Sequence, residues 1–589
     1  MNRFKNYAGL GLLSCLGAVA FVACGEDPCE VALSCVERGR VGANEPDAAS
    51  ADASSTGGTA ADSGADSGLG SSGVGNAGTT GTAGAGPDGG VVAEPQRDGG
   101  GDAGAQPPLP VVCGVNPEAG CIANEQDAVF VSAGVGESGD GSQASPVKSI
   151  AEGIELARAL DAARIVVCNG VYPEPVSLTV DDSGRSLTGG YNCDSWLYNP
   201  DGETLVRPTE RGFALQVNGT TQRVTISNFT FDALAAFDPG ESSVAAFVVN
   251  ASDLRLKQVR LIAREGQSAV AAVTHNFTAG TSNEWPSAAS LNGNDGLGQS
   301  LAASPTFVGG ARKEVTCPDG DISRSGKGGG RPNTPDEEPG EDGQLPAGKG
   351  GEGGEVTGSC DTCVSGVCGC VMPAGANGLE GDPGASGGGA TDFGEVSSLG
   401  WAPASGFQGE FGNPGGGGGG GDGTWQGCGM GGDLSWFGGG SGGAGGCGGN
   451  GGAAGAGGGS SIALVVLDSS VTFTECELTT ANAGSGAAGD LGQQGQEGGK
   501  GGNGIGGNNG YSVPCAGGDG GPGGPGGAGG GGAGGVSVGV VWAGAFEPSV
   551  DTSTVMTLGD PGAAGVGGDP GINDGVAGVA QEILEVPAG

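Results

Sequence analysis

Val224-Thr225-Ile226-Ser227-Asn228-Phe229-Thr230-Phe231 decides the fold, because its pattern returns 30 residues later as Leu254-Arg255-Leu256-Lys257-Gln258-Val259-Arg260-Leu261. Both copies place apolar side chains at the first, third, sixth and eighth positions. The same spacing recurs at Val471, Phe473, Cys476 and Leu478, and more loosely from Val538-Gly539-Val540-Val541 to Val555-Met556-Thr557-Leu558. Apolar alternation in runs this short is the mark of strands. A unit of this size cannot bury its apolar face alone, so the units must stack on one another. Asn218 and Asn250 fall near the expected corners, where the backbone needs left-handed residues.

Upstream, Ala128-Val129-Phe130-Val131 reads as a strand. Ile150, Ile154, Ala157 and Leu160 then follow at helical spacing, and Arg164-Ile165-Val166-Val167-Cys168 is a buried strand. Three further runs come after it: Gly170-Val171-Tyr172, Val176-Ser177-Leu178-Thr179-Val180, and Ser186-Leu187-Thr188-Gly189-Gly190-Tyr191, with Trp196 just beyond. This order, with Ser145-Pro146-Val147-Lys148-Ser149-Ile150 before the helix, resembles the domain of unknown function that opens many bacterial right-handed parallel β-helix (pectin-lyase-like) proteins. The resemblance covers about 127–200 and implies a fold, not an activity. The fold expected is all-β: a right-handed parallel β-helix with an N-terminal capping helix and long glycine-rich insertions.

The insertions come from composition. Of 137 glycines, 94 follow Ser300, about one residue in three there. Glycine brings no apolar area and loses much entropy on ordering, so an ordinary core cannot be built from it. Gly517 to Gly529 and Gly442 to Gly452 repeat with period three, the period of the polyproline II helix. Such helices can bundle when glycines face their neighbours; plain disorder is the other reading. Gly375 to Gly387 fits only about four Gly-X-Y triplets, too few for a collagen helix. The composition is similar to that of the PE-PGRS proteins of mycobacteria, although their N-terminal domain is missing. The expected organisation is a signal peptide (1–23), a low-complexity stalk with short cysteine staples (24–126), β-helix (127–263), a glycine-rich insertion (264–459), a β-helix coil (460–480), a second insertion (481–535), another coil (536–558) and a glycine-rich tail (559–589).

Arg3 and Lys5 precede an apolar run from Ala8 to Ala23, too short for a comfortable membrane span. It ends in Phe21-Val22-Ala23-Cys24, which resembles the lipobox of bacterial lipoproteins. The resemblance implies lipidation at Cys24 and a membrane partner through that anchor, most simply at the outer membrane or cell surface. Phe21 stands where Leu is usual, and Cys15 is a rival site that would leave a greasy stub. Residues 42–110 are Ala, Gly, Ser, Thr, Asp and Pro with almost no large apolar side chain, a spacer composition.

Seventeen cysteines suit an oxidising compartment. Setting Cys15 and Cys24 aside leaves an odd number, so at least one stays unpaired within the chain. Cys29 with Cys35 and Cys113 with Cys121 read as local staples, and Cys168 with Cys193 as a staple between stacked coils. Cys360, Cys363, Cys368 and Cys370 have a zinc reading, but export and the tight last spacing favour disulfides.

A net charge of −43 sets the chain against nucleic acid and anionic lipid, and can hold calcium only loosely. Parallel β-helices include polysaccharide lyases and glycoside hydrolases, so an enzyme is the rival function. Such sites need clustered acids or an acid–Arg/Lys set. The acids on offer are Asp181, Asp182 (near Arg185), Asp232, Asp253 and Asp468; the one histidine, His275, has no evident Ser or Cys partner. No set of them forms a catalytic constellation, and no cofactor is implied. The expected function is a lipid-anchored envelope protein, structural or adhesive, with a glycan or an envelope protein as partner.

Overall fold

A computed structural model describes residues 111–589 apart from 115–116, 281–283, 298–308, 331–340, 342, 344–373, 427–434 and 505–514. Most of its strands fall into three large sheets in which every pair is parallel, and three two-stranded hairpins are antiparallel. Sheet I holds Ala128–Val131, Arg164–Cys168, Ser186–Tyr191, Val224–Ser227, Leu254–Lys257, Val471–Thr474 and Ser549–Val550. Sheet II holds Gly170–Tyr172, Thr204–Val206, Thr230–Asp232, Arg260–Ile262, Glu477–Thr479 and Val555–Thr557. Sheet III holds Val176–Leu178, Leu215–Asn218, Ser243–Val249, Ser461–Leu467, Ser537–Ala543 and Ala580–Glu585. After Ala128–Val131 the chain visits sheets I, II and III in that order six times.

The repeat read from sequence is the register of the sheets. Ile226, Leu256 and Phe473 are partners across sheet I, and Phe231, Leu261 and Leu478 across sheet II. Each of these side chains is at most 1% exposed, and all belong to one apolar cluster. Turns between sheets I and II carry left-handed Asn228, Gln258 and Glu475. Turns after sheet III carry left-handed Gly219, Asn250, Asp468 and Gly544. Asn250 is thus a corner residue; beside Asn218, the left-handed position is taken by Gly219, where no Cβ opposes it.

Helix α1 (Ile150–Leu160) starts in a capping box between Ser149 and Glu152 and ends at left-handed Asp161. Ile150, Ile154 and Ala157 enter the same cluster as Val131 and Ile165. Leu160, read as part of that apolar stripe, is 63% exposed, because at 100° per residue it stands to the side of the face that Ile150, Ile154 and Ala157 bury. A second correction concerns the tail. Ala580–Glu585 pairs in parallel with Ser537–Ala543 and extends sheet III, so 559–589 is not glycine-rich coil throughout.

All three glycine-rich stretches leave after a sheet II strand and return into sheet III. Much of their described length is packed as rods. The rods run along 375–390, 404–421, 438–459, 481–503, 515–535, 559–568 and 573–578, and hydrogen bonds join neighbours at every third amide. From Gly440 to Gly458, each third N–H donates to the 515–533 rod at 2.8–3.1 Å, in parallel register. From Gly517 to Gly535, each third N–H donates antiparallel to the 484–502 rod at 2.8–3.0 Å. No described glycine between 406 and 535 has positive φ, so with the period of three the rods are of polyproline II type.

Glycine count per triplet follows burial. The 515–535 rod is ringed by the other six and has two glycines in most triplets. A Cβ on Gly523 would strike the Cys447 carbonyl, and one on Gly524 the Asp382 carbonyl. Pro522 and Pro525 fill the remaining position, where their carbonyls accept from Gly381 and Gly384 at 2.9 Å and no ladder N–H is lost. The peripheral 375–387 rod has one glycine per triplet with Leu379, Glu380, Asp382 and Ser386 between them. From Gly415 to Gly421 every residue is glycine, and there the 324–329 segment covers the third side: Gly417 faces the Arg324 carbonyl and Gly420 the Lys327 carbonyl.

Candidate functional site

The acids singled out in the sequence lie on strands or corners, and most are spent on arginines. Asp182 is fully buried; it takes Arg158 Nε at 2.8 Å, Arg158 Nη2 at 2.5 Å and the Thr179 amide at 2.8 Å. Its partner is therefore Arg158 of α1 and not the nearer-in-sequence Arg185, which instead donates to the Ala162 carbonyl and approaches Asp161. Asp232, 1% exposed, is gripped by Arg207 at 2.7 Å and by both Arg264 nitrogens at 2.7 and 2.6 Å. Asp253 pairs with Arg223 and Arg255; burial pushes its carboxyl up, but the two guanidiniums outweigh it and hold it below the ordinary range. Asp468 is a left-handed corner, and Ser469 beside it accepts the Ala251 amide at 2.8 Å. The Asp182, Asp232 and Asp253 carboxylates staple neighbouring segments to one another. Among the described residues no three His, Cys, Asp or Glu side chains converge as a metal site would require.

The cysteines divide likewise. Cys113 is joined to Cys121, and Cys168 to Cys193. Cys24, Cys29, Cys35, Cys360, Cys363, Cys368 and Cys370 lie outside the described residues. Sequence reading missed a third disulfide, Cys317–Cys447, which ties the hairpin Glu314–Arg324 to the 438–459 rod. The signal was present: Cys447 stands at the one non-glycine position of its triplet, pointing away from the central rod. Cys476 is an unpaired thiol, 3% exposed, in the line of Phe229 and Val259; burial pushes it up to about 11, which makes it an apolar filler and not a nucleophile.

Two surface features have the form of a binding site. A cleft of about 650 Å³ is lined by Gln143, Pro146, Cys193, Asp194 and Trp196. The second is an aromatic group on the glycine bundle. Two described stretches, 274–280 and 284–286, form a strap on the rods and carry His275, Phe277 and Trp285. Phe277 lies parallel to Phe411 of the 404–421 rod, with ring centres 6.0 Å apart and planes at 12°. Trp285 tilts against Phe277 at 6.3 Å, and His275 meets it edge-on at 6.2 Å. The strap is clamped by main-chain bonds: Asp490 accepts the Thr274 amide, Gln493 takes both the amide and the carbonyl of Phe277, and Asn450 donates to the His275 carbonyl, all at 2.7–2.8 Å. Trp285 Nε1 donates to the Gly448 carbonyl at 3.0 Å. His275, a loop residue with no Ser or Cys partner expected, is 73% exposed and stands 3.6 Å from Glu284.

No protein-family model, curated protein or solved structure matches the chain.

Proposed function

We propose that the chain is a lipid-anchored protein of the bacterial envelope surface, with a structural or adhesive role. Its strands would wind as a closed right-handed parallel β-helix, capped by α1, with the glycine bundle as a rigid side platform. The observation that carries this reading is the pairing of two stiff scaffolds with acids already committed to arginines: the molecule is built to hold surfaces in place. The lipobox-like Phe21-Val22-Ala23-Cys24 supplies attachment, and residues 42–110 supply reach. A glycan or another envelope protein is the partner such a surface would meet.

Attachment is tested by labelling cells with palmitate. Label is expected on the wild-type chain and none on Cys24→Ser, which should move to the soluble fraction. Label that persists in Cys24→Ser would remove the anchor from the proposal.

A further inference from the structure

We infer that Phe277, Trp285, His275 and Phe411 form a stacking platform for the sugar rings of a neutral glycan. The inference deepens the adhesive reading and rests on it. None of the four belongs to an apolar core cluster. The bundle beneath them packs through glycine backbone and a few mostly small side chains, so packing does not call for large rings there. Yet in a chain only 5% aromatic, three rings and an imidazole meet on one face, with Phe411 44% and His275 73% exposed. Exposed apolar groups gathered in this way mark binding surfaces. The strap bonds to Asp490, Gln493, Asn450 and Gly448 fix the rings before any ligand arrives, which lowers the ordering cost of binding.

The chemistry of the occupant follows from the rings and the charge. Aromatic faces accept an apolar C–H surface while polar groups at the edge meet hydroxyls. A pyranose offers both, one on its face and one on its rim. Exposed Asn276 adjoins the rings, and exposed Gln408 precedes Phe411 by one triplet on the same side of its rod. The net charge of −43 repels uronate and sulfate polymers, leaving neutral sugars.

The test uses the purified chain from Cys24 onward, with barley β-glucan, yeast mannan and xylan as neutral probes and polygalacturonate as the acidic one, in affinity electrophoresis and calorimetry. At least one neutral polymer should bind. Phe411→Ala should weaken it by about ten-fold or more, Phe411→Tyr should restore it, and the melt of each variant should stay that of the wild type. If Phe411→Ala disturbs the melt, His275→Ala on the exposed rim takes its place, with a loss of about three-fold expected. Binding unchanged in these variants, tighter binding to polygalacturonate, or no neutral binding would each overturn the platform. Palmitate labelling and fractionation judge the envelope reading separately.

Discussion

In the coils and in the glycine bundle the same ladder of main-chain hydrogen bonds is completed around opposite interiors. Sheet II shows the change within a few residues. Ala263 donates to Thr479 as a sheet would; then Gly266 donates to Asn482 and Ala269 to Ser485, one bond per triplet. Thr480, Ala483, Gly486 and Gly489 do likewise with Thr557, Asp560, Ala563 and Val566. Coil thus passes into bundle without a break in pairing. What differs is the filling. Coils are separated and held by Phe, Leu, Ile and Val, whereas rods touch backbone to backbone. One interior gains from area removed from water. The other has almost none to gain and depends on satisfied amides and close contact.

This contrast can be broken from either side. Phe231→Ala removes a fully buried ring from the coil core and should cost about 3–5 kcal/mol, read as a lowered denaturation midpoint of the whole chain. An unchanged midpoint would mean the coil interior is not a packed core. Gly523→Ala should cost about 1–3 kcal/mol by overpacking, although it adds a single methyl to the most apolar-poor part of the molecule. Amide exchange should quicken along 515–535 before it does along 537–543; equal acceleration in both would show that bundle and coil open as one unit. The smallest effect is one of pH. The Thr274 amide, chiefly, holds the Asp490 carboxyl below its ordinary range. A depressed carboxylate adds stability above the ordinary aspartate value and loses it as pH falls through the lowered one. The strap should therefore loosen only in strong acid, seen as faster exchange of the Thr274 amide, and Asp490→Asn should flatten that dependence.

Much of the coil was legible because its signal is local and apolar. Val224 and Leu254 lie 30 residues apart in the chain and are register partners. Thr204–Val206 and Leu215–Asn218 were not read as strands; each is short, lacks a copy of the eight-residue pattern, and is a strand through its parallel neighbours. Ala580–Glu585, with Gln581, Glu582 and Glu585, gives no apolar run and is a strand by virtue of its neighbour. Of the bundle, the period was visible but its order was not. Gly443 and Gly518 are 75 residues apart, and nothing in either triplet names the other as partner. The aromatic group was hidden for the same reason: Phe277 and Phe411 meet only because the strap and rod are held by bonds to third parties.

The antiparallel legs of the bundle also constrain how such a gene can change. An outgoing leg and its returning leg keep every amide opposite its acceptor if both gain or lose three residues, each step altering the reach by roughly 9 Å. A single inserted residue would turn everything beyond it by a third of a revolution and set side chains against carbonyls. Inheritance should therefore lengthen or shorten this platform in blocks of three codons, matched on the two legs, much as a telescoping mast extends only by whole sections.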